Sequence, residues 1–157
     1  MVQNSIALIA EIGQAHEGSL GILHSYIDAL SKTGIDAMCA ALDTVYQWVA
    51  DSPREARVLQ ILHVGAASPG SEFQETSIGI HRRQHSDVVD WVEGGKRAGQ
   101  IQREVDAVSV ASQYVAYTSG ISYLWLTNAK DFDFASANEA MKLYLRQSLG
   151  NAKQEKS

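Results

Sequence analysis

Residues Trp91–Asp106 read WVEGGKRAGQIQREVD, and residues Ser122–Gly150 read SYLWLTNAKDFDFASANEAMKLYLRQSLG. Together they predict a helix that stops at a glycine, a short acidic link, a long helix, and a final amphipathic helix. Val88, Trp91, Val92, Gly95 and Ala98 recur at three- and four-residue spacing and so share one helix face, and Gly99 marks its end. Asp106 is placed to cap a helix running to about Thr127. Asp133 or Ser136 caps the last helix, Ser136 and Glu139 having capping-box spacing. Ala137, Ala140, Met141, Tyr144 and Leu145 form a stripe along that helix.

Working toward the amino end, Leu20, Leu23, Ile27 and Leu30 share a helix face, which Ser19 could cap and Gly34 end in a left-handed conformation. Asp36 to Ala50 carries Met38, Ala41, Leu42, Val45, Trp48 and Val49 on one side. Ser52-Pro53 starts another helix, proline being tolerated at the first helical position, with Val58, Leu59 and Leu62 as its expected buried face. Ser68-Pro69-Gly70-Ser71 reads as a loop, and Glu72–Gln84 fits either helix or an irregular segment. Period-two alternation is absent, so the expected class is all-α.

The bulk numbers fit one domain. A chain of 157 residues, 45% apolar, can fill a core. A net charge of −5 argues against general affinity for phosphates. The lone Cys39 cannot form an intrachain disulfide, and no apolar run approaches the roughly 20 residues of a membrane span. With no basic start and apolar run to suggest a signal peptide, a cytoplasmic protein is expected.

Gly95, Gly99 and Ile101 in GKRAGQI, Asp106 opening the next helix, Leu124-Trp125-Leu126 and Asp131-Phe132-Asp133 carry a resemblance to the C-terminal half of TetR-family transcriptional regulators. The likeness is clearest from about Ile35 to Leu149. It implies an all-α ligand-binding and dimerisation domain over residues 19–150, with 1–18 a remnant of a helix-turn-helix and 151–157 a disordered tail. It further implies a homodimer formed through the last two helices, and a small, largely apolar effector. Interface candidates are Ser112, Ala116, Ser119, Gly120 and Tyr123 on the long helix, and Ala137, Met141 and Tyr144 on the last. Effector candidates are Trp48, Trp91, Tyr46, His63, Tyr26 and Tyr114, since aromatic rings with polar tips give contact area and fix orientation. Ordinary core packing is the competing reading for each.

The first thirty residues resemble two families in part. IAEIGQAHEGSL (Ile9–Leu20) is similar to the opening of sialic acid synthases, but Met38-Cys39-Ala40 stands where their lysine and aromatic residue belong. A complete (β/α)₈ barrel also needs about 250 residues. The same stretch resembles the second half of a TetR helix-turn-helix through Gly18-Ser19-Leu20. However, no Lys or Arg occurs before Lys32, so the phosphate and guanine contacts of a DNA reader lack their cations. DNA binding is therefore expected only through a head not complete in this chain.

No catalytic residue, cofactor or metal is expected. His81 and His85 have helical ligand spacing, with Asp87 as a third group, but Arg82 and Arg83 oppose a cation there. Nothing orients Glu11, His16 and Glu17 as an acid–base set, and Cys39 reads as a small core residue. The alternatives to a regulator are a helical protein-interaction module without ligand, and a sialic-acid-synthase-like enzyme fragment.

Overall fold

A computed structural model describes residues 31–128 and 130–151. It contains α1 (Gly34–Asp51), α2 (Pro53–Gly65), α3 (Gln74–Arg97), α4 (Ala107–Asn128) and α5 (Phe134–Leu149), and no strand among the described residues. The chain is all-α. None of the described helices is long and apolar enough to cross a membrane. The segment 1–18, Tyr26 and the rest of the Leu20–Leu30 helix face, and the tail beyond Asn151 lie outside the described residues.

Local chemistry sets most helix ends. Gly34 takes a left-handed φ of +64°, and α1 begins there. Asp36 falls in the first turn of α1 and does not cap it. Pro53 opens α2 at its first position. The Ser68–Ser71 loop turns through Gly70, and α3 stops before the left-handed Gly99. The undecided Glu72–Gln84 stretch becomes helical from Gln74, giving one 24-residue α3. Asp106 Oδ1 accepts from the Val108 amide and caps α4. Of the two candidates for α5, Asp133 is the cap: its Oδ1 accepts from the Ser136 amide at 2.9 Å. The cap hydrogen bonds, those from Ser109 and Ser136 first, hold both aspartates below the usual carboxylate range.

The core sits around α1, which packs on α3 and α5, while α3 packs along α4. Met38, Leu42, Val88, Val92, Ile101 and Leu145 fill it with almost no exposure. A second cluster, Val49, Ala56, Ile121, Trp125 and Phe134, joins the far ends of α1, α2 and α4. An antiparallel bridge between Ile101 and Gly150 ties the end of α5 to the α3–α4 link, with Gln102 N donating to Leu149 O.

One expected buried face is corrected, and one stripe is divided. On α2, Val58 and Leu62 are exposed, Leu59 is half-buried, and Ala56 is the buried residue. The helix is docked by Ala56 and by Arg57, whose guanidinium lies 5.3 Å from the Trp125 ring centre and donates to Leu126 O. That contact turns the apolar residues outward. On α5, the stripe is divided: Met141 and Leu145 are buried, Ala140 and Tyr144 are exposed, and Asn138 and Lys142 face inward. The cause is Asp43 of α1, which accepts from Asn138 Nδ2 and Lys142 Nζ and rotates the helix toward itself.

Candidate functional site

Four of the proposed effector residues divide between two places. Trp91 and Tyr114 lie in the main core, and the Tyr114 hydroxyl donates to Met38 O at 2.9 Å, so its polar tip is satisfied by the fold itself. Tyr46 and Trp48 are half-buried at the second cluster, where Tyr46 stacks on Phe134 with ring centres 6.0 Å apart. His63 stands apart, near the end of α2, against His81 of α3. Tyr26 lies outside the described residues. The five described candidates thus sit in three places.

A cleft of about 470 Å³ opens elsewhere, between the start of α1, the α3–α4 link and α5. Its walls include Lys32, Asp36, Cys39, Asp43, Gln100 and Arg146. Two cations and two carboxylates make it a polar, charge-balanced cleft, unlike the apolar pocket that the resemblance implies. Burial pushes the Cys39 thiol up, against the opposing pull of Arg146 and Lys142, which keeps it protonated and weakly nucleophilic. Lys142 shows the reverse balance. Burial opposes its charge, but Asp43 and Glu139 accept from it and hold its pKa above the ordinary value. No helical period could have marked this cleft, because its residues come from three segments distant in sequence. The inward i,i+4 pair Asn138 and Lys142 is the one local signal that α5 meets a carboxylate.

The His81/His85 pair is split by the fold. His81 faces His63, whereas His85 Nε2 lies 3.2 Å from Ser112 Oγ on α4. The neighbouring Gln84 Nε2 donates to Thr118 Oγ1, so α3 and α4 are joined by a short polar seam. Among the described residues, no group of three or more His, Cys, Asp or Glu side chains is arranged to hold a metal ion.

The interface candidates are exposed, with two exceptions. Residues Ala107, Ala111, Tyr114, Thr118, Ile121 and Trp125 of α4 are buried at alternating four- and three-residue spacing. The opposite side carries Ser112, Ala116, Ser119, Gly120 and Tyr123, all exposed, with Val108 and Leu124 beside them. Within the chain, α4 is therefore covered along one stripe. On α5, Tyr144 is 52% exposed and Leu143 53%. Met141 is a core residue at 6% exposure and is unavailable to a partner. Ala137 is half-buried, its carbonyl accepting the Tyr117 hydroxyl at 2.6 Å.

Comparison with protein-family models, with curated proteins and with solved structures finds no match to this chain.

Proposed function

We propose that this chain is a non-catalytic, ligand-sensing and dimerisation domain of a TetR-like transcriptional regulator. Two copies meet through α4 and α5, and each gives two helices to a four-helix bundle about a two-fold axis. The observation that carries the reading is the outward face of α4. Small residues at 112, 116, 119 and 120 allow close backbone approach, and Tyr123 and Leu124 add exposed apolar area on the same helix, as Leu143 and Tyr144 do on α5. Exposed large apolar side chains, where they gather, mark association sites.

In this reading the effector is a small, largely apolar molecule taken up among α1, α2, α3 and the near side of α4. It acts by preferring one dimer geometry over another, a coupling of about 1–3 kcal/mol in typical cases. The setting is cytoplasmic, and the output is the relative placement of whatever the two copies carry. A panel of small apolar compounds screened by thermal denaturation tests the sensing half, since a ligand at a hundred times its Kd adds about 2.7 kcal/mol.

Gly120→Arg tests the dimer half. An added Cβ at Gly120 meets nothing within 4 Å, so the single chain accommodates it. Arginine also exceeds glycine in helix propensity by roughly 0.8 kcal/mol. In the dimer the change sets two guanidinium groups near the seam, and like-charge juxtaposition costs several kcal/mol. The expected result is loss of the dimer with an unchanged helical spectrum. A variant that dimerises as the parent does would remove this reading.

A second reading, a helical interaction module without ligand, draws on α2. There Val58, Ile61, Leu62 and Val64 are exposed, while Trp91 and Tyr114 serve the core. Ile61→Lys separates the two, leaving the dimer intact if α4 and α5 form it.

A further inference from the structure

The α2–α3 turn brings together two imidazoles that lie 18 residues apart in the sequence. His63 is in the last turn of α2 and His81 is on α3, with ring centres 5.7 Å apart and planes tilted by 55°. His63 Nε2 is buried and has no hydrogen-bond partner. A buried ring nitrogen without a partner calls for explanation, and an ion is one of the groups that supplies it. With metal–nitrogen bonds of roughly 2.0–2.1 Å, two imidazoles on one tetrahedral ion hold their ring centres about 5–6 Å apart. The observed spacing falls inside that window.

Three other features suit an ion. Imidazole binds metals in its neutral form, and burial, then the neighbouring His81, favours neutral His63. His85 is occupied with Ser112 and Gln84 with Thr118, so neither competes for the space between the two rings, and Arg82 and Arg83, one and two positions past His81, are turned about 100° and 200° from it around α3, with Arg82 exposed. Finally, α2 is lightly held: Ala56 is its buried residue, and Arg57 anchors its first half to Trp125 and Leu126. Its distal half reaches α3 through His63.

We propose that His63 and His81 together bind one divalent transition-metal ion of the zinc, copper and nickel group, with water completing the coordination shell. The ion ties the end of α2, next to the buried Ala66, to α3. Imidazole ligands suit these ions and disfavour magnesium and calcium, which prefer oxygen.

The test uses the full chain without an affinity tag, titrated with zinc chloride at pH 7.5 by calorimetry and followed by thermal denaturation. The expected result is one zinc ion per chain and a raised melting temperature, with no response to magnesium. His63→Gln and His81→Gln each weaken zinc binding at least about tenfold, as loss of supporting groups at metal sites commonly does. His85→Gln leaves it unchanged. Zinc bound with parental affinity by the His63→Gln/His81→Gln double variant, or no binding by the parent at millimolar zinc, overturns the proposal. Should a variant misfold, nitrogen-15 spectra of the parent's imidazoles decide. His63 and His81 must shift together on adding zinc, and a shift confined to other histidines overturns the site.

Discussion

Replacing Gly95 with alanine puts a methyl group where α1 and α3 cross. The new Cβ would stand 2.7 Å from Gly34 Cα and 2.7 Å from Ile101 Cδ1. Carbon atoms pack best at roughly 3.5–4.0 Å, so the helices must separate by close to an ångström and Ile101 must also give way. Ile101 is itself fully buried, and the Gly34 contact is backbone. Overpacking of this kind costs about 1–3 kcal/mol. Alanine recovers about 1 kcal/mol of helix propensity over glycine. The expected net loss is therefore up to about 2 kcal/mol. Gly79 lies on the same helix, and an added Cβ there meets nothing within 4 Å. Gly79→Ala should then stabilise by about 1 kcal/mol. Subtracting the two cancels propensity and leaves the steric cost of the crossing, about 1–3 kcal/mol. Urea denaturation at matched m-values measures both. Equal stabilisation by the two substitutions would refute the close α1–α3 crossing.

Tyr114→Phe should lose about 1 kcal/mol in the same assay, because it deletes a buried hydrogen bond to Met38 O. No loss would mean that the hydroxyl is not used by the fold. Asp133→Ala should lower the denaturation midpoint and Asp133→Asn restore most of it, since an amide oxygen also caps Ser136 N. Stability should fall as pH drops below about 6.5. The folded pKa of His63 is depressed, so the unfolded chain takes up the proton first and stability drains until the folded pKa is passed. His63→Gln should flatten denaturation midpoints between pH 7.5 and 5.5, and an unchanged slope would contradict the depressed pKa of this half-buried imidazole.

Helix positions were legible wherever a local rule applied. Pro53, Gly99, Asp106 and Asp133 mark boundaries by their own chemistry, and the three-and-four spacing of Met38, Leu42 and Val49 fixes the inward side of α1. The orientation of α2 was not legible. Its apolar residues surround most of the helix, and the contact that orients it, Arg57 on Trp125, joins positions 68 residues apart. The α5 stripe misleads for a related reason: Asn138 and Lys142 read as surface residues until Asp43 is placed beside them. The aromatic candidates show a further limit. Tyr114 and Trp91 are recognisable as buried from their spacing, but spacing does not separate a cavity wall from a filled core. The pairing of His63 with His81 depends on the path of the Ala66–Phe73 turn, and so does the polar cleft on its own set of three segments.

The central claim is that the outward faces of α4 and α5 are covered by the same faces of a second copy. Sedimentation equilibrium of the full chain at micromolar concentration tests it most directly. The account predicts a species of twice the chain mass that Gly120→Arg converts to a folded single chain. A parent protein that stays a folded single chain up to about 100 μM, a concentration at which even an 8 kcal/mol interface would be formed, contradicts it.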